Sequence, residues 1–174
     1  MSHNKPDGRL KILAGTDLRT QSPSAAKTGQ GLRPNPRPIA TAYMTSEWLF
    51  WSNDRQVLGL KVRDGHAPEV VLDQPAVALA AQGNQVVSVC ADGSLWLGSS
   101  SLGKTTFSPL ALAADEHSIY ILTQNPDSKW VLEHSLDGIL AQDLEPALIP
   151  SLTLSVSHLY GAFGHQLLAF ERLP

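Results

Sequence analysis

Few residues in this chain are arranged in a way that suits catalysis. Histidines stand at positions 3, 66, 117, 134, 158 and 165, and no two have the HExxH spacing that brings a pair of imidazoles onto one metal ion. Each reads as a turn or surface residue. Asp54, Asp92, Asp115 and Asp127 fall at comparable places between apolar runs, where a short carboxylate caps a turn by accepting backbone N–H groups. A calcium or sugar-lactone site would need several of them to converge on one cavity. Ser99, Ser100 and Ser101 lie near Lys104, a neighbourhood that suits Ser–Lys chemistry but equally suits a polar loop. Cys90 is the only cysteine; within the run VVSVC it reads as a buried, unreactive thiol, and no internal disulfide can form. The chain contains no GxSxG elbow, no P-loop and no GxGxxG fingerprint. No cofactor is implied.

Recognition is better supplied than catalysis. Trp48, Trp51, Trp96 and Trp130 are the large flat side chains, which either fill the space between packed sheets or form an apolar patch for a protein partner or a stacking platform for sugar. In WLFW, alternation puts Trp48 and Phe50 on one face and Leu49 and Trp51 on the other, so both faces of that strand need cover. A second candidate contact is the RPNPRP stretch, with Arg33, Pro34, Pro36 and Arg37. Its prolines fix an extended path that is available to a partner subunit.

These residues are set within a repeating frame. Residues 9–14, RLKILA, alternate as a short strand, with Leu10, Ile12 and Ala14 on one face. Residues 15–37 carry Gly, Pro, Ser, Thr and Gln without apolar periodicity and read as a long arm. From Pro38 onward four small-residue strands each open with proline: PIATAYM at 38, PAVALAA at 75, PLALAAD at 109 and PSLTLSV at 150. A second strand follows each of them, as WLFWSN from 48, QVVSVCA from 85, SIYILTQ from 118 and HLYGAFG from 158. A third series runs QVLGLKV, SLWLGSS, KWVLEHS and QLLAFER, and a fourth runs EVVLD from 69, TTFS from 105 and ILAQDL from 139. Turn residues at Gly83-Asn84, Asp92-Gly93 and Asn125-Pro126-Asp127 divide them. A period of this size must be settled before any other feature of the fold.

The pieces ALAADEHSIYILTQ, LEHSLDGI and WLFWSNDRQVLGLKVRDG carry a pattern of small apolar strand, aromatic strand, polar turn, apolar strand and Asp-Gly. That pattern resembles the blades of YWTD-like and related bacterial β-propellers over residues 38–174. The resemblance implies an all-β fold, a small β-propeller of about four blades at about 38–74, 75–108, 109–149 and 150–174. The last repeat has no fourth strand of its own, and residues 9–14 are expected to supply it, since closing the ring removes an exposed sheet edge. Family rings usually carry more blades than four, so the alternative is a half-propeller completed by oligomerisation.

Composition narrows the function. Thirteen Lys and Arg against sixteen Asp and Glu give a net charge of −3 with no basic run, which argues against nucleic acid as a partner. The N-terminus lacks the apolar core of a secretion signal and no stretch has the length of a membrane span, so a cytoplasmic protein, or a component of a larger particle, is expected. The leading reading is a non-catalytic protein-binding or assembly module that presents a propeller face, partnered by another protein or by itself, with the N-terminal arm on a partner subunit. The alternatives are a propeller-type hydrolase or lactonase with a metal site, and a carbohydrate-binding lectin.

Overall fold

The computed structural model describes residues 39–64 and 66–172, all of them within the compact unit Arg37–Pro174. The strand expected at 9–14 and the arm at 15–37 lie outside the described residues. Among the described residues every regular element is a strand, and no helix is long and apolar enough to cross a membrane.

The strands form four antiparallel sheets, each a simple meander. The first contains β1 (Thr41–Met44), β2 (Trp48–Ser52), β3 (Val57–Lys61) and β4 (Glu69–Leu72). The second contains β5 (Ala76–Gln82), β6 (Gln85–Cys90), β7 (Ser94–Leu97) and β8 (Ser100–Lys104). The third contains β9 (Ser108–Ala114), β10 (Ile119–Gln124), β11 (Trp130–His134) and β12 (Gly138–Leu144). The fourth has three strands, β13 (Leu152–Leu154), β14 (His158–Phe163) and β15 (Gln166–Glu171).

One expected strand is displaced. The sequence reading put the outer strand of the second sheet at TTFS, from 105, whereas β8 occupies Ser100–Lys104. Gly98 at φ 57° turns the chain directly, so that Leu97 pairs with Ser100. Every residue of β8 is exposed, so the strand carries no apolar alternation to reveal it.

The repeats match at the level of single hydrogen bonds. The N–H of Thr45, Asp115 and Ser155 donates to the carbonyl of Trp48, Ser118 and His158, at 2.8, 3.0 and 2.8 Å. In each case the side-chain oxygen of the same residue accepts the N–H three residues on, at 3.0, 2.9 and 3.0 Å. The turn between the first two strands of three sheets is therefore one structure built from Thr, Asp or Ser, the short side chains able to cap it.

The first strands of successive sheets are neighbours: β1 lies by β5, β5 by β9 and β9 by β13. Each sheet then buries one face on the next. Phe50, Val57 and Leu72 meet Leu79, Val86 and Cys90. Val87, Val89 and Leu95 meet Leu112, Ile119 and Ile121. Leu122 and Trp130 meet Phe163, Leu168 and Phe170, and Tyr120 and Leu132 meet Leu159. Adjacent residues of a strand point to opposite faces, so Val86-Val87 and Ile121-Leu122 are buried in pairs because the two middle sheets are covered on both sides. That is why β6 and β10 are buried residue after residue, while burial along β15, covered on one side, alternates. Among the described residues no such core cluster joins the fourth sheet to the first.

Candidate functional site

The meeting of the third and fourth sheets holds the most developed polar site. Arg172 follows β15, and its guanidinium pairs with the Asp115 carboxylate, donates to the Ser155 carbonyl at 2.7 Å and sits 5.8 Å from the centre of the Tyr120 ring. One side chain thus ties together the two equivalent turns at Asp115 and Ser155. On one side of Arg172 is a cavity of about 590 Å³ bordered by Tyr43, Ala80, Ala113 and Leu152, one residue from each of the four innermost strands. On the other is a larger cleft of about 1010 Å³ between the third and fourth sheets, bordered by Leu132, Leu140, Leu159, Ala169 and Phe170. His134 opens onto this cleft, its Nδ1 2.8 Å from the Asp137 carboxylate and its ring 5.1 Å from that of Tyr120.

Burial alone would raise the Asp115 carboxyl, but hydrogen bonds from the His117 and Ser118 amides and from Arg172 outweigh it and hold the group below its ordinary range. A carboxylate whose folded-state pKa is depressed stabilises the fold above its unfolded-state pKa, and that contribution is lost as the pH falls through the folded value. Asp115→Asn is therefore expected to flatten part of the loss of stability between about pH 5 and about pH 2. Melting temperatures of both proteins across this window check it, and parallel acid slopes would show that the pair with Arg172 contributes nothing.

The other acidic turn residues stay apart. Asp92 accepts the Ser94 N–H at 3.0 Å and lies 3.5 Å from the Lys104 ammonium. Asp54 stands on the turn whose amides are held by the neighbouring Asn53, which accepts from Arg55 and Gln56, both at 2.9 Å. Asp127 stands in the exposed turn before β11. Among the described residues no three His, Cys, Asp or Glu side chains gather around a point that would hold a metal. Ser100, Ser101 and Lys104 belong to the exposed strand β8, with Ser99 in the turn before it. The Cys90 thiol is buried, which pushes its pKa up.

The candidate contact residues separate in the same way. Trp51 and Trp130 are 1% and 4% exposed, so in this fold they have no surface to offer a partner. Alternation turns Trp51 to the side of β2 opposite Phe50, which packs against the second sheet. Trp48 and Trp96 are half-buried against the core between the first two sheets, with Trp48 stacked on Phe50 at 5.6 Å. Arg33, Pro34, Pro36 and Arg37 lie outside the described residues.

Two residues gave little signal in the sequence. Arg172 is close to the end of the chain, and its partner Asp115 was visible only as a turn cap. Glu133 is 4% exposed. It accepts from the amides of Thr106 and Phe107 at 2.8 and 3.3 Å and from the Thr123 hydroxyl at 2.7 Å. A charged residue inside the apolar run WVLEH was the available signal.

Four meander sheets packed face to face, with their first strands side by side, define an architecture of β-propeller type. Comparison with solved structures agrees. The chain is similar to the computationally designed protein Ika4, at a TM-score of 0.57 and 14% identity over 81% of this chain and 95% of that one. It is also similar to BamB from Moraxella catarrhalis, at 0.54 and 17% identity over 79% of this chain and 48% of that one. A third likeness is to the extracellular domain of the hybrid two-component system BT4673 of B. thetaiotaomicron, at 0.52 and 14% identity over 83% of this chain and 22% of that one. These neighbours have propeller-like folds, and the chain spans about half of BamB and about a fifth of the third protein. No protein-family model and no curated protein sequence matches the chain.

Proposed function

We propose that this chain is a non-catalytic assembly module of β-propeller type, which contributes about four blades to a larger ring and holds a partner subunit with the arm at 15–37. The observation that supports this reading is the far face of the fourth sheet. Register places Thr153, Tyr160, Ala162, Leu167 and Ala169 together on the side away from the third sheet, with the pair His158 and Glu171 at one end of that face. Lys and Arg are absent from this set, and Leu167 is 75% exposed. In each earlier pair of sheets the equivalent face is buried by the sheet that follows. An apolar sheet face left open at the end of such a stack is where a further sheet packs.

Native mass measurement tests it, on the purified chain and on the chain recovered from its source. The expected result is an assembly of defined composition that Leu167→Asp dissociates, the released chain still unfolding cooperatively because Leu167 is exposed in the isolated chain. A chain monomeric in both settings would end this reading.

A further inference from the structure

We propose that the outer edge of β15 is an acceptor site for an extended segment of a partner protein, which adds antiparallel to β15 as the fourth strand of the last sheet. In each of the first three sheets the third strand pairs without a break to the second and, with a shift of register, to a fourth. Strand β15 holds the third place in its sheet and has only the first of these ladders, unbroken over six residues. Among the described residues no strand lies on its other side. The Arg172 amide donates to the Ser157 carbonyl at 2.9 Å. In antiparallel pairing, residues that bond to the neighbouring strand alternate with residues that face away, so Phe170 and Leu168 also turn their N–H and C=O to β14. Those of Leu167, Ala169 and Glu171 point to the open side. Exposed edges are ordinarily blunted by Lys, Pro or a bulge, and Gln166–Glu171 has none of these.

The surroundings of the edge set the chemistry of the segment. The cleft of about 1010 Å³ borders both Phe170 of β15 and Leu140 of β12, with Leu132 and Leu159 behind them. An added strand directs every second side chain into this cleft, so those side chains are apolar. The carboxylates at its rim are Asp137, beside His134, and Glu171, while Arg172 is engaged by Asp115. A Lys or Arg at an end of the segment therefore completes the match. Backbone bonds supply the affinity of such an addition and alternate side chains supply its selectivity. Two copies of β15 cannot serve each other. Antiparallel pairing about a two-fold axis keeps both third sheets on the same side, and each of these has four strands to the fourth sheet's three, so the outer strand of one would collide with the other copy. The site is an edge with its cleft, separate from the open face that supports the assembly reading.

Amide hydrogen exchange on the full chain, read residue by residue, tests the site. In the chain alone Leu167, Ala169 and Glu171 are expected to exchange faster than Leu168 and Phe170 by about tenfold or more. The probe is a capped synthetic peptide of alternating leucine and threonine with a lysine at each end. Adding it should slow the three fast amides by about tenfold or more and leave Leu168 and Phe170 as they were. Residues opposite each other in a pair share a face, so the peptide's threonines, on the side of Leu167 and Ala169, carry the bonds to β15 while its leucines enter the cleft. Methylating the threonine nitrogens should abolish the protection, and methylating the leucine nitrogens should not. Ala169→Pro removes one outward N–H without touching the ladder to β14 and should weaken peptide binding by about tenfold or more. Protection of all five amides in the chain alone would show that the edge is already filled and would overturn the proposal. So would an absence of protection at millimolar peptide, or protection that survives methylation of the threonine nitrogens, which would reduce the effect to apolar contact with the cleft. Each of these failures leaves the assembly reading standing, because that reading is tested at the far face by Leu167→Asp.

Discussion

Trp130→Ala is expected to destabilise the protein by about 3–5 kcal/mol, the usual cost of deleting a large buried aromatic. The indole is 4% exposed and meets the Phe163 ring edge-on, with centroids 6.2 Å apart and planes at 77°. Phe163 in turn meets Phe170 at 5.9 Å and 85°. Trp130 is the ring through which the third sheet meets this aromatic pair of the fourth, so removing it opens a cavity that its rigid neighbours cannot fill. Urea unfolding should show a lower midpoint with an unchanged slope. Trp48→Ala, at a half-buried ring with one stacking partner, should cost clearly less. A loss below about 1 kcal/mol at Trp130, within the range of ordinary substitutions, would mean that the fourth sheet is not docked on the third as described.

At Glu133 the expected loss on substitution by alanine is about 2–4 kcal/mol, chiefly from taking the acceptor away from the Thr106 and Phe107 amides, since the Thr123 hydroxyl keeps the Val131 carbonyl at 3.3 Å. The Thr106 and Phe107 amides belong to the link between the second and third sheets, while the Thr123 hydroxyl belongs to β10. One buried side chain therefore fixes that link to the third sheet. Glu133→Gln should cost roughly half as much, because the amide oxygen still accepts one N–H and the Thr123 hydroxyl can rotate to accept from the amide nitrogen. Denaturant midpoints for the two variants give the comparison. Equal losses would mean that the carboxylate acts by volume and not by hydrogen bonding.

Most of the sheet frame could be read from the residues themselves. The proline-led segments and the runs WLFWS, QVVSVC, IYILTQ and HLYGAF carry β-branched and aromatic residues between turn formers, and β2, β6, β10 and β14 lie on these runs. Strand β8 escaped because its pairing with β7, not its composition, makes it a strand. The tryptophans were harder. Alternation put Trp48 with Phe50 and Trp51 on the opposite face, but a face becomes core or surface only when something covers it. Trp51 and Trp130 proved to be covered, and Trp48 and Trp96 partly so.

By itself the sequence determined the local layer of this protein: an all-β chain, a repeated meander of strands, and turns closed by short polar side chains such as Thr45, Asp115 and Ser155. Each of these follows from interactions within a few residues. Only the tertiary structure decided that Arg172 reaches Asp115, that Glu133 clamps the link between two sheets, and that the fourth sheet keeps an open apolar face while the middle two are buried on both sides. Those features depend on which sheets stack against which, and stacking joins residues tens of positions apart through contacts that no local pattern encodes.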